Sequence, residues 1–303
     1  MKLPTVASPL YVKLRKLTPW SLRPDVRGAY NHLTKLLTYG HTNIFMTVNI
    51  ETTSQCNIKC PYCPVSVFDR GKHLMEESLF HKIIDELAEI GFKGRVSPHF
   101  YGEPLVDARL PELCAYAREK LPAVNIVVHS NGTRMNKTVF HNLLDHGVTG
   151  FVITNHMGLA TKQVARLLSE ISEADKEKIR FLDIDETPLF NRSGLVEPKN
   201  LRTFKRCHYL SDEIAISYQG NVLCTNDYLE KHSFGNVKEQ KLMDIWHSPF
   251  FTKVRKDVRK GVFELEMCKK CVHGCGQEAK LEPPAPLTQE LPVLQASGAD
   301  GGR

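Results

Sequence analysis

Apolar positions recur between residues 44 and 184 in two alternating rhythms. Phe45 to Thr52 carries Met46, Val48 and Ile50 on one side, the period of a strand. Leu79, Phe80, Ile83, Ile84, Leu87 and Ile90 follow at the period of a helix, and Gly91 supplies the residue that closes it. The alternation then repeats: RVSPHFYG before Leu110 to Leu121, NIVVHSNG before Val139 to Leu144, GFVITNH before Val164 to Ile171, and finally KIRFLDID. Five strands separated by four helices predict right-handed crossovers and an α/β fold, a parallel sheet curving into a full or partial (β/α) barrel. Such a sheet binds ligands at the carboxyl ends of its strands.

The flanks follow neither rhythm. Residues 1 to 44 carry seven Lys or Arg against one acid, Asp25, with scattered apolar positions such as Leu14, Leu17, Trp20 and Leu22. We expect a basic N-terminal extension over 1–43, helical and packed on the core. From about Glu282 the chain turns to Pro, Gly and small residues, so 282–303 is expected to be a disordered tail. No apolar run is long enough to span a membrane, and no charged start leads into an apolar block with a small-residue cleavage site. The expected location is therefore the cytoplasm. A formal charge of +6 would suit an anionic ligand but falls short of a nucleic-acid footprint.

A reducing compartment changes how the nine cysteines are read: clustered thiols there argue for metal before disulfides. CNIKCPYC places Cys56, Cys60 and Cys63 just after the first predicted strand, at the end of the sheet where a ligand belongs. Structural zinc takes four ligands, and no further Cys or His stands nearby to close the site, although a distant one could. A cubane iron-sulfur cluster also takes four cysteines, so three leave one iron open. An open iron can be chelated by the amino and carboxylate groups of a substrate.

This spacing, in this place, resembles the signature of the radical S-adenosylmethionine (SAM) family. The resemblance implies a 4Fe-4S cluster on Cys56, Cys60 and Cys63, SAM on the open iron, and an external electron donor such as a flavodoxin or ferredoxin. HFYGEP lies where the family carries Gly-Gly-Glu-Pro, with Tyr101 replacing the first Gly. By that match Gly102 and Glu103 hold the SAM amino group, Ser130 and Asn131 reach its ribose and carboxylate, and Tyr62 packs near the adenine. Simple turn chemistry is the competing explanation for Ser130 and Asn131.

A second thiol group follows. Cys207, Cys224, Cys268 and Cys271 are separated by sixteen, forty-three and two residues. They surround SYQGNVLCTNDY, which suggests a strand pair, and a helical stretch near Ile245 to Val258 that Ser248 would cap, with Pro249 at its first position. The arrangement resembles the small iron-sulfur appendage called Twitch, a shortened SPASM domain, and implies a second 4Fe-4S cluster. A four-Cys zinc site has the same spacing. The expected units are thus a radical SAM partial barrel over 44–200 and a small C-terminal iron-sulfur domain over 201–281.

RVSPHFYGEPL, ITNHMG, EADKEKIRFLDID, NRSG and GNV with DIWHSPFFTKVRK are similar to the branch of the family that acts on aminocyclitols and aminoglycosides, over about residues 44 to 275. That similarity makes Arg192 a candidate anchor for a hydroxylated substrate, since its fork of donors suits hydroxyls and carboxylates. Tyr101 joins it as a candidate substrate contact. In dehydrogenases of that branch the cysteine matching Cys224 is followed by Phe and Glu; here Thr225 and Asn226 stand instead, and Asn226 cannot be a base. The epimerase resemblance implies a hydrogen-donating cysteine, and CKKCVHGC offers Cys275, with a cluster ligand as its competing role. Cys114 shares a helix face with Leu110, Leu113, Ala117 and Leu121 and belongs in the core. His129 and His156 lie at strand ends where they could meet substrate, but lone histidines at such places are more often structural, and that is the expectation.

The expected activity is hydrogen abstraction from a carbon of a small hydroxylated substrate, with epimerisation ahead of dehydrogenation of a secondary alcohol. Modification of a peptide comes third, and a non-catalytic iron-sulfur protein would leave the open-iron motif without a purpose.

Overall fold

The computed structural model describes residues 23–184, 189–198, 201 and 205–273. Cys275, the tail after residue 281, and Leu14, Leu17, Trp20 and Leu22 lie outside the described residues. Helix α1 (Arg23–Tyr39) precedes β1 (Thr47–Ile50), α2 (Glu77–Glu89), β2 (Arg95–Ser97), α3 (Leu110–Lys120), β3 (Asn125–Ser130), α4 (Lys137–Asp145), β4 (Gly150–Asn155), α5 (Thr161–Glu170), the short α6 (Glu173–Lys176) and β5 (Ile179–Asp183). The five predicted strands and four predicted helices are all present, and Gly91 takes a positive φ of 60° after α2.

Two more strands join them. After α7 (Tyr209–Asp212), β6 (Glu213–Ile216) pairs parallel with β1, and β7 (Val222–Leu223) pairs antiparallel with β6. The seven-stranded order is β5-β4-β3-β2-β1-β6-β7, so β1 is interior with neighbours on both sides. All four residues of β1 and all four of β6 are buried, as parallel strands covered on both faces require.

One face of β3 and β4 packs on the helices. Ile126, Val128, Phe151 and Ile153 meet Leu113, Cys114, Phe140, Leu143, Val164 and Leu167 in a continuous core, each large side chain contributing about 1.5–3 kcal/mol of burial. Cys114 is 1% exposed, the core thiol that its helix face predicts. The other face opens into two cavities. Asn125, Val127, Gly150, Val152 and Arg180 line one of about 290 Å³ at the amino ends of the strands. His129, Thr154 and Leu182 line one of about 260 Å³ at the carboxyl ends.

After β7 come α8 (Leu242–His247), α9 (Pro249–Lys260) and α10 (Glu266–His273). Ser248 caps α9 as predicted, its Oγ accepting from the Phe251 N–H at 3.3 Å, and Pro249 opens the helix. Helix α1 docks through polar contacts. Asn31 Nδ2 and Lys35 Nζ each reach the Asp212 carboxylate at 2.8 Å, and Lys35 also donates to the Ser211 carbonyl at 2.6 Å. Lys35 and Asp212 are both buried, so this ion pair ties the N-terminal helix to the segment between Cys207 and β6.

Candidate active site

The loop leaving β1 carries Cys56, Cys60 and Cys63, with the Cys63 N–H donating to the Cys60 carbonyl at 3.0 Å. All three line the cavity at the carboxyl ends of the strands. Gly102 is where the loop after β2 crosses this one. A Cβ there would lie 1.9 Å from the Thr53 carbonyl oxygen, so only glycine lets the two backbones pass. The Glu103 N–H then donates to the Gln55 carbonyl at 2.7 Å.

The Glu103 carboxylate gathers the loop after β3. It accepts from Ser130 Oγ and the Asn131 N–H at 2.7 Å each, and from the Leu105 N–H at 3.1 Å. Burial raises its pKa, while the Asn131, Ser130 and Leu105 donors work in the opposite sense. Asn131 accepts from Thr133 through Oδ1, which turns its Nδ2 toward Asn57 Oδ1 at 2.9 Å and Cys56 Sγ at 4.0 Å. Gly102, Glu103, Ser130 and Asn131 are therefore assembled beside Cys56. Tyr62 lines the same cavity, its hydroxyl 3.0 Å from His156 Nδ1 and its ring stacked on that imidazole.

Tyr101 and Arg192 form a wall of the cavity toward the second thiol group. The Tyr101 hydroxyl donates to the Thr225 carbonyl at 3.0 Å. Arg192 lies over the Tyr101 ring, 5.4 Å from its centroid, and its guanidinium donates to Asn226 Oδ1 at 3.1 Å and to the Thr225 carbonyl at 3.4 Å.

Behind that wall Cys207, Cys224, Cys268 and Cys271 line one small pocket with Asn226, Ser193, Leu210, Phe263 and Met267. Burial raises every thiol pKa resolved in the two groups, to about 12 for Cys60 and Cys268 and about 11 for Cys207, and neighbouring thiols raise Cys60 and Cys224 further. A bound iron cluster reverses that balance, because a metal cation favours the thiolate. Among the described residues no three His, Cys, Asp or Glu side chains gather around a single ion. A cubane asks for something else, one thiolate per iron at separate corners. Three thiols on an open cavity and four around a closed pocket fit one cluster with a free corner and one fully ligated.

Several contacts escape sequence reasoning. Glu51, 0% exposed, directly follows β1 and pairs with Arg70, which also binds Glu230 at 2.9 Å and lies over the Tyr228 ring. This network joins β1, the segment after the first thiols and the segment after Cys224. His99 and His129 stack at 4.3 Å in the cavity lining. Ser97 Oγ donates to the Val127 carbonyl at 2.7 Å, so it accepts from His99 Nδ1–H at 3.2 Å, and His99 keeps Nε2 unprotonated. Burial, then Arg95 and Arg192, hold the His99 pKa down to about 3; burial and His99 hold His129 low. Strand alternation places His129 beside Val127 on the open face, and its position at a strand end is the other sequence signal for it. His156 likewise meets the cavity.

An open sheet with three thiols at its carboxyl end and a four-thiol appendage defines a SAM-cleaving iron-sulfur enzyme, and the chain belongs to the radical SAM superfamily. The Radical SAM superfamily model matches residues 50–162, and the SPASM iron-sulfur cluster-binding domain matches 207–272. Its cofactors are a 4Fe-4S cluster, an auxiliary iron-sulfur cluster and SAM. The chain is 33% identical over 233 residues to the S-adenosyl-L-methionine-dependent 2-deoxy-scyllo-inosamine dehydrogenase of Niallia circulans, covering 75% of this chain and 93% of that one. It is 30% identical over 137 residues to the PqqA peptide cyclase of Granulibacter bethesdensis, covering 43% of this chain and 33% of the cyclase. The crystal structure of BtrN in complex with AdoMet and 2-DOIA superposes with a TM-score of 0.71 at 33% identity, over 75% of this chain and 93% of BtrN. No helix among the described residues is long and apolar enough to cross a membrane.

Proposed function

We propose that this enzyme removes a hydrogen atom from a hydroxyl-bearing carbon of a carbohydrate, aminoglycoside or aminocyclitol and returns one to the opposite face, an epimerisation. The observation that carries the substrate class is the cavity of about 260 Å³ lined by the three thiols together with Arg192, Tyr101 and His99. Its donors and acceptors suit hydroxyl groups. The similarity to a dehydrogenase of an aminocyclitol supports the same class.

In this proposal Cys56, Cys60 and Cys63 hold the SAM-binding cluster, and Cys207, Cys224, Cys268 and Cys271 hold the auxiliary one. Glu103 and the Gly102 backbone hold the SAM amino group, Ser130 and Asn131 its ribose and carboxylate, and Tyr62 its adenine. When bound and reduced by an external donor of the flavodoxin or ferredoxin type, the first cluster supplies the electron that cleaves SAM to methionine and the hydrogen-abstracting 5'-deoxyadenosyl radical. Arg192 and Tyr101 orient the substrate. Cys275, two residues beyond His273 in the sequence, gives its thiol hydrogen atom to the substrate carbon, and the thiyl radical left behind takes one electron from the external donor and one proton from solvent to restore the thiol.

Asn226 favours epimerisation. It is 5% exposed with both ends of its amide engaged, and an amide cannot take up a proton where a base would be needed. Dehydrogenation of the alcohol is the second reading, favoured by the 33% identical dehydrogenase. Anaerobic turnover with dithionite and SAM in deuterated water, over a panel of aminoglycosides and cyclitols, separates the two. One non-exchangeable deuterium gained without change of composition supports epimerisation. Loss of two hydrogens with no deuterium gained replaces it with dehydrogenation.

A further inference from the structure

Asn226 stands between the substrate cavity and the second thiol pocket, and it lines that pocket. Its amide orientation is set by chemistry, because an arginine can only donate. The oxygen must face the Arg192 guanidinium at 3.1 Å, which leaves Nδ2–H directed at Cys271 Sγ, 4.0 Å away. That separation is the outer reach of an N–H contact to sulfur. A thiolate on iron is a stronger acceptor than the neutral thiol, so ligation draws the contact tighter.

The surrounding backbone holds this arrangement in place. Arg192, Ser193 and Gly194 run through three successive left-handed conformations, with φ of 52°, 60° and 82°. Two of the three carry a Cβ, a strained choice that persists only where neighbours fix it. They do: Ser193 Oγ donates to the Asn226 carbonyl at 3.0 Å, and Asn191 Nδ2 donates to the Lys270 carbonyl, next to Cys271, at 3.0 Å. The turn thus grips both the segment after Cys224 and the helix bearing Cys268 and Cys271. Its one long polar side chain points to Asn226 and to the cavity lining.

We propose that Asn226 is a positioning residue that raises the reduction potential of the auxiliary cluster by donating to the Cys271 sulfur, and that Arg192, a cavity-wall residue, locks it there. Reduction adds one electron and one negative charge, and an N–H aimed at a ligand sulfur stabilises that added charge. Arg192 serves two ends, so a substrate that engages its guanidinium reaches the cluster through one amide. The inference rests on the reading that Cys271 is a ligand of the auxiliary cluster.

The test is an anaerobic redox titration of the reconstituted full chain, followed by electron paramagnetic resonance, with iron counted in the same samples. Asn226→Leu keeps the branched outline and has no donor. We expect it to keep both clusters and lower the auxiliary midpoint, so that the reduced-to-oxidised ratio at the wild-type midpoint falls about tenfold, ~59 mV for a one-electron couple. Arg192→Lys, which frees the amide to turn, gives a smaller shift in the same direction. Where the leucine variant assembles less iron, Asn226→Ala, smaller, uncharged and also without the N–H, repeats the titration. An unchanged midpoint in an iron-replete variant overturns the proposal. Full iron content in Cys271→Ala overturns the ligand reading beneath it, and loss of one cluster there leaves that reading standing on its own.

Discussion

The two thiol groups face each other across Tyr101 and Arg192, and they are built in opposite ways. Cys56, Cys60 and Cys63 come from one eight-residue stretch and line a cavity of about 260 Å³. Cys207, Cys224, Cys268 and Cys271 come from three separated pieces of chain and close on themselves, with Cys224 and Cys271 each 8% exposed. Local spacing makes a site that is open toward one side. Ligands drawn from distant segments make a closed one that also staples those segments together. The lesson is that the number of thiols matters less than where the chain leaves room: in the proposed reading the first group would keep a free corner for SAM, and the second would keep none.

The largest effect should separate the two groups outright. Cys60→Ala should abolish formation of 5'-deoxyadenosine and lower iron from about eight to about four per chain, the loss of one cubane. Cys271→Ala should lose the same amount of iron while SAM is still cleaved, and epimer formation should stop. If both variants cleave SAM equally, the division between the groups is wrong.

A second way to sharpen the comparison is to loosen the closed side from outside. Lys35→Met leaves Asp212 buried without its cation, next to the segment that follows Cys207. We expect about 3–5 kcal/mol less stability in denaturant unfolding, with the auxiliary cluster lost before the first. An unchanged midpoint would show that α1 is not a structural part of this side.

The smallest effect belongs to the open side and depends on pH. His99 and His129 are depressed in the folded chain, His99 to about 3, so the unfolded chain binds more protons below its ordinary value. Stability from the pair is complete above about pH 6.5 and falls as pH drops toward the folded value, each imidazole contributing up to about 1.4 kcal/mol per pH unit. Replacing His99 with Gln should flatten the dependence of the melting temperature on pH between 6.5 and 5. An equally steep slope in that variant would remove the assignment.

The first group was legible in the sequence because every determinant is local. The strand period of Phe45 to Thr52, the thiol spacing, and the Gly102 crossing follow within sixty residues of one another. The sixth strand was hidden, since Glu213 to Ile216 is four residues long and buried throughout, leaving no alternation to detect. SYQGNVLCTNDY suggested a strand pair, and the hairpin formed instead between 213–216 and 222–223, shifted toward the amino end. Arg70 meets Glu230 across 160 residues, a pairing that no spacing rule encodes. Asn226 was conspicuous only as a residue that is not an acid, and its direction toward Cys271 needed the position of Arg192.

The most direct test of the central claim, one open group and one closed, is the electron paramagnetic resonance spectrum of each reduced variant with and without SAM. SAM is expected to shift the cluster signal of Cys271→Ala, whose three-thiol loop is intact, and to leave the signal of Cys60→Ala unchanged. A SAM-dependent shift in Cys60→Ala would place the open iron in the four-thiol pocket and contradict the account.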